Sequence, residues 1–125
     1  MTSAVAKLGL GTAQFGLDYG VSNPRGRLSL QEAKTTLRIA AEAGVSVLDT
    51  AAQYGEAETR LGASLPRPSP FKVSCRAVLG LRGAEGVEDE ARASLQRLGL
   101  ERGDAILAAS AADLLVSLGQ WATGR

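Results

Sequence analysis

Histidine is absent from the 125 residues. Mechanisms that need an imidazole of this chain as base, proton relay or metal ligand are excluded. Cys75 is the single cysteine, which rules out an intramolecular disulfide and a thiolate metal cluster. Aromatic residues are scarce, with one tryptophan, two tyrosines and two phenylalanines, so small and medium aliphatic groups must fill the core. An excess of one charge sign is also missing. Fourteen basic residues face thirteen acidic ones, and the signs stay mixed along the chain. That balance leaves no electrostatic footprint for nucleic acid or an anionic membrane. No apolar run approaches the roughly 18–20 residues of a membrane helix. The opening MTSAVAKLGLG carries no signal-peptide core. These absences predict a soluble, cytoplasmic protein, and the length fits one domain over residues 1–125.

Alternation of short apolar runs with amphipathic stretches organises what is present. Residues 8–11 (LGLG) read as a strand or its end, followed by a turn-rich loop from Leu17 to Leu28. Ser29 opens a helix, because Ser29-Leu30-Gln31-Glu32 fits a capping box. Leu30, Ala33, Leu37, Ala40 and Ala41 then form a stripe at spacings of three and four. Gly44 closes that helix. A strand is expected at 45–49 and a short helix at 56–63. Pro66, Pro68 and Pro70 precede a second apolar run at 71–75, predicted as a strand. A loop over 80–86 leads to a helix at 87–98, where Val87, Ala91, Leu95 and Leu98 share a face, with Gly99 as its stop. A strand at 104–108 and a weaker helix at 111–122 complete the pattern. Regular alternation with short connections predicts an α/β fold with parallel strands and helices packed on them.

Chemistry-bearing residues concentrate between Val45 and Gly62. Asp49 ends a strand at its carboxyl edge and Tyr54 follows in the next loop, where parallel α/β proteins build their sites. A tyrosine acts as an acid near neutrality only if a fixed cation favours its phenolate. Arg76 and Lys72 are the candidate cations, and a carboxylate would hold such a cation in place. Structural readings stand beside these: Asp49 and Arg76 as a plain ion pair, Glu58 bonding loop backbone near Tyr54, and Cys75 as a buried strand residue. The glycines at 9, 11 and 16 lack the spacing of a dinucleotide fingerprint.

The residues Leu8-Gly9-Leu10-Gly11-Thr12-Ala13, Gly44, Leu48-Asp49-Thr50-Ala51, Tyr54-Gly55, Glu58, Leu61-Gly62 and Ser94-Leu95-Gln96-Arg97-Leu98-Gly99 together resemble the aldo/keto reductases. The opening GTAQFGLDYGVSN is similar to a bacterial branch of that family. The resemblance implies a TIM-type (β/α)8 barrel that reduces small carbonyl compounds with NADPH. This chain would supply its first half, a (β/α)4 unit. It places the catalytic aspartate at Asp49 and the proton-donating tyrosine at Tyr54, with Gly11, Thr12 and Asp49 on the cofactor.

Two catalytic positions depart from the family pattern. The lysine position falls on Arg76, in Phe71-Lys72-Val73-Ser74-Cys75-Arg76, and the histidine position falls on Ala109. Arginine keeps the charge but not the reach of an ammonium. Lys72, four residues back along the strand, sits roughly 13 Å away. An impaired or inactive site is therefore expected, and most of the family's cofactor contacts would come from the second half of the barrel. A non-catalytic remnant and an interaction module are the alternatives. A half-barrel would also expose two open sheet edges and an apolar inner face, which predicts self-association.

Overall fold

The computed structural model describes residues 4–77, 83–112 and 114–115. A short 3-10 turn, Ala4–Lys7, precedes strand β1 (Gly9–Gly11) and a single helical turn α1 (Ala13–Gly16). The order continues with α2 (Leu30–Glu42), β2 (Val47–Ala51), α3 (Ala57–Ser64), β3 (Lys72–Ala77), α4 (Gly83–Leu98) and β4 (Ala105–Ala108). The four strands form one parallel sheet in sequence order, β1-β2-β3-β4. The alternation expected from the sequence is the architecture observed.

Local chemistry sets the helix boundaries. Ser29 Oγ accepts from the Glu32 amide at 3.1 Å while the Glu32 carboxylate accepts from the Ser29 amide at 2.8 Å, a complete capping box. This pairing and Arg25 hold the Glu32 carboxyl below its ordinary pKa. At the other end Gly44 takes φ +92°, a region that side chains with a Cβ rarely enter. The Val45 amide returns to Ala40 O and the Gly44 amide to Ala41 O, completing a Schellman closure. Gly99, at φ +64°, ends α4 in the same way, with Leu100 bonded to Leu95 O and Gly99 to Gln96 O.

Several boundaries move. The second strand runs over Val47–Ala51 rather than 45–49, because Val45 is spent on the α2 closure. The third extends to Ala77, and α4 starts at Gly83 instead of 87. Residues 111–112 and 114–115 are helical, while the rest of the helix expected at 111–122, including Trp121, lies outside the described residues.

Strand alternation divides the sheet into two unlike faces. Leu48 and Thr50 on β2 and Val73, Cys75 and Ala77 on β3 are buried toward the helices. There Leu48 and Val73 join Phe15, Leu37, Leu61, Leu65, Phe71 and Leu98 in one core. The opposite face is not the apolar surface expected of a half-barrel. Aligned by register, it carries Gly9 and Gly11, Val47, Asp49 and the buried Ala51, Lys72, Ser74 and Arg76, then Ala105 and Leu107. The face is mixed: Asp49, Lys72, Ser74, Arg76 and two glycines stand among Val47, Ala51, Ala105 and Leu107.

Two packing details give tests of this architecture. Thr50 Oγ1 is buried without a hydrogen-bond partner, so Thr50→Val should be neutral or stabilising by up to about 1 kcal/mol in urea unfolding. Gly62 sits where an added Cβ would stand 2.3 Å from Arg97 O, so α3 and α4 approach through it. Gly62→Ala should cost about 1–3 kcal/mol by the same measurement.

Candidate functional site

Asp49 lies in the middle of β2, opposite Gly11 of β1 and Ser74 of β3. Arg76, two residues beyond Ser74, projects from the same face. Arg76 Nη2 stands 3.8 Å from Asp49 Oδ2, with the two side chains 41% and 35% exposed. A pair that open to water contributes about 0–1 kcal/mol, so its consequence is orientation rather than stability. Thr12 anchors the strand beneath it. Its amide and its Oγ1 both donate to Asp49 O, at 3.0 and 2.9 Å, from a fully buried position. The sequence-predicted residues Gly11, Thr12, Asp49 and Arg76 are thus brought together.

Tyr54 sits in the loop between β2 and α3. Its amide donates to Ala51 O and its carbonyl accepts from the Ala57 amide, both at 3.1 Å. The half-buried Tyr54 side chain packs on the core. A Cβ on Gly16 would fall 1.7 Å from Tyr54 O, so α1 presses its backbone directly on this loop. Arg60 ties the neighbourhood together by donating to Phe15 O at 3.2 Å and to Leu28 O. Among the described residues, no hydrogen bond joins the Tyr54 hydroxyl to Asp49 or Arg76. A hollow of about 590 Å³ opens beside Arg76, lined also by Leu107, Ala109, Ser110 and Leu114. Ala109, at the expected histidine position, borders this hollow with its amide bonded to Ala77 O. Lys72 lies exposed at the start of β3, far along the strand from the Asp49–Arg76 pair.

On the opposite face of β3 the structure assembles a cluster that sequence reasoning missed. Glu58, only 2% exposed, accepts from Arg97 Nε at 2.5 Å and from the Cys75 thiol at 3.0 Å. Ser94 Oγ lies 3.4 Å from Cys75 Sγ and accepts from Arg97 Nη2 at 3.3 Å. The expected bonding of Glu58 to loop backbone near Tyr54 is replaced by these side-chain contacts to β3 and α4. Ser94 and Arg97 are three apart on α4, a helical spacing that marks one face, but nothing in the sequence paired them with Glu58. Burial, reinforced by the Glu58 hydrogen bond, pushes the Cys75 thiol up to about 12. An apolar cavity of about 330 Å³ adjoins the cluster, lined by Cys75, Ser94, Leu95, Leu98 and Ile106.

This cluster generates two predictions. Arg97→Met leaves a buried carboxylate without its cation and should cost about 3–5 kcal/mol. Glu58→Gln should cost less, because Arg97 is 38% exposed and keeps water. Urea midpoints of the two variants distinguish these outcomes. The native state holds the Cys75 proton above its ordinary pKa of 9.0, so this contribution is complete below about pH 9 and is lost as pH rises toward about 12. Unfolding stability measured from pH 7 to 11 should fall more steeply for the wild type than for Cys75→Ala.

No described helix is long and apolar enough to cross a membrane. A model of the Aldo/keto reductase family matches residues 7–120. An aldo-keto reductase from Mycobacterium sp. (strain MCS) is 38% identical over 87 residues, which are 66% of this chain and 30% of that protein. A crystal structure from Pseudomonas aeruginosa, described as an aldo-keto reductase, aligns over 93% of this chain and 51% of its own with TM-score 0.73 and 27% identity. A Klebsiella pneumoniae aldo/keto reductase solved with NADP and acetate shares the fold at TM-score 0.63 and 24% identity, over 80% of this chain and 34% of its own. The chain spans about half the length of one of these relatives and about a third of the other two, and its four parallel strands with their helices correspond to half of a (β/α)8 barrel. With a family match that takes in all four strands and the Asp49–Arg76 pair, this chain belongs to the aldo/keto reductase family.

Proposed function

We propose that this chain forms the proton-donating half of a cytoplasmic, NADP(H)-dependent reductase of small aldehydes and ketones. The observation that carries the reading is the Asp49–Arg76 ion pair on the open face of β2 and β3, followed at once by the Tyr54 loop. Tyr54 is the proton donor, through its Oη, to the carbonyl oxygen. Arg76, held by Asp49, is a cation on the same face of the sheet. NADPH, when bound, supplies the hydride.

The residues present fit one end of that cofactor. Gly11 faces the open side of the sheet, and a Cβ there would meet nothing within 4 Å, so a flat ring has room against the backbone beside Asp49. Thr12 gives its hydroxyl hydrogen to Asp49 O, which makes it a support of this floor. The cations on this face among the described residues are Lys72 and Arg76, and Arg76 is paired with Asp49.

Arg76 in the lysine position and Ala109 in the histidine position make the site slow. Loss of a donor to the carbonyl oxygen is of a kind that costs roughly 10²–10³ in rate. A second reading, a non-catalytic unit that binds through its sheet edges, is favoured by those same departures and by the open edges of β1 and β4.

Fluorescence titration of NADPH, over a range of protein concentrations, tests the first reading. Saturable binding is expected, with Tyr54→Phe retaining binding and losing turnover by about 10²-fold or more. Restoring the family pattern with Arg76→Lys and Ala109→His together should raise turnover roughly 10²-fold. Absence of binding at millimolar NADPH would leave the binding-unit reading.

A further inference from the structure

We infer that the Glu58–Cys75 hydrogen bond is a positioning contact for the candidate site, pinning the loop that carries Tyr54 to the strand that carries Arg76. The inference rests on the reading of Tyr54 and Arg76 as the working groups. It gives Glu58 and Cys75 a role through those groups, with no contact of their own to substrate or cofactor.

The Tyr54 loop is short and is held on β3 at both ends. Ala51 and Arg76 form the last pair of the β2–β3 ladder, and the next amide, Ala52 N, donates to Arg76 O at 3.1 Å. Tyr54 follows two residues later, with its amide bonded to Ala51 O and its carbonyl taking the Ala57 amide. Glu58 comes directly after Ala57, in the first turn of α3. Its Oε1 accepts from the Cys75 thiol at 3.0 Å. The loop is thus fastened to adjacent residues of one strand, its front to the Arg76 backbone and its back to the Cys75 side chain. Cys75 faces the helices, while Arg76 faces the open side and meets Asp49 there. A slide of α3 along β3 would carry Tyr54 past Arg76, and the Glu58–Cys75 bond opposes that slide.

Stability alone does not account for the chemistry at this contact. Ala57 and Leu61 already bury the same helix against the core, both without exposure. Apolar contact of that kind is non-directional and tolerates sliding. A hydrogen bond weakens steeply once donor and acceptor misalign, so it fixes a position. Glu58 is 2% exposed, and apolar groups of similar volume in place of a buried charge pair are often neutral or stabilising. The other members of the cluster serve this one bond. Arg97 Nε takes Oε2 at 2.5 Å, which leaves Oε1 for the thiol. Ser94 Oγ stands 3.4 Å from the sulfur and closes its far side. Burial, with the Glu58 bond, raises Cys75 to about 12, so the donated proton stays on sulfur and the thiol is a donor rather than a nucleophile.

Cys75→Val and Cys75→Ser separate a pin from a packing residue, since valine fills the space without a donor and serine keeps one. The chain has two tyrosines, so isotope-labelled tyrosine gives one NMR signal for Tyr54 and one for the exposed Tyr19, an internal reference. Without cofactor, the Tyr54 ring signal and the Arg76 Nε–H signal should both move in Cys75→Val and stay near wild type in Cys75→Ser. They should also stay near wild type in Leu37→Ala, which loses core packing on α2, away from the loop. Tyr19 should hold its place in all three. In turnover with NADPH, kcat should fall about tenfold or more in Cys75→Val with the cofactor Kd unchanged, and Cys75→Ser should keep most of the wild-type rate. Unmoved Tyr54 and Arg76 signals in Cys75→Val, equal movement in Leu37→Ala, or a Cys75→Ser that behaves like Cys75→Val would each overturn the proposal. Signals that move as expected in a protein that neither binds NADPH nor turns over would uphold the pin and defeat the reductase reading.

Discussion

A carboxylate with almost no exposure needs both oxygens satisfied, and Glu58 meets that demand by drawing on two other elements. Arg97 reaches it from α4 and the Cys75 thiol from β3, so a single side chain of α3 ties three elements to one point. Gly62 lets α3 and α4 come close enough for the contact, and Arg67 reinforces it by donating to Leu98 O, Gly99 O and Gly62 O. Cys75 and Arg76 are adjacent on β3 and point to opposite faces. Fixing Cys75 from behind thereby fixes the strand that presents Arg76 toward Asp49. The core and the candidate site are coupled through one strand.

That coupling depends on the division of labour between the two faces of the sheet. Helix-facing positions hold leucine, valine, threonine and cysteine, buried against α2, α3 and α4. Positions on the other side mix glycine, serine and the charged residues with Val47, Ala51, Ala105 and Leu107. A layered domain that covered both faces would bury the Asp49–Arg76 pair at a desolvation cost that an exposed pair avoids. The face left open here keeps Arg76 and Asp49 41% and 35% exposed, so the pair avoids that cost.

Much of the fold was legible because it is written in short-range chemistry. Ser29 and Glu32 are three residues apart, the helix stops at Gly44 and Gly99 use bonds to carbonyls three and five residues back, and strand alternation needs only nearest neighbours. Asp49 was expected at the end of its strand and lies in the middle of β2 instead, because the strand starts two residues later than its apolar run; Gly11 and Thr12 came from the family resemblance, not from any local pattern. The errors had the same character in reverse. The second strand was placed two residues early because the α2 closure competes for Val45, and the inner face was expected to be apolar because overall composition does not say which face of a strand a residue takes.

The amino-acid sequence by itself determined the order of elements, their caps and the residue types at the strand ends, since each follows from interactions within a few residues. Only the tertiary structure decided that Glu58 answers to Arg97 and Cys75, contacts spanning 39 and 17 residues. It also decided that Arg76 and Asp49 share a face, and that β4 lies two rows above β1. Those facts come from register and from the packing of helices on a common sheet. Both are properties of the assembled chain, because loop closure brings distant residues together at positions that no local pattern encodes.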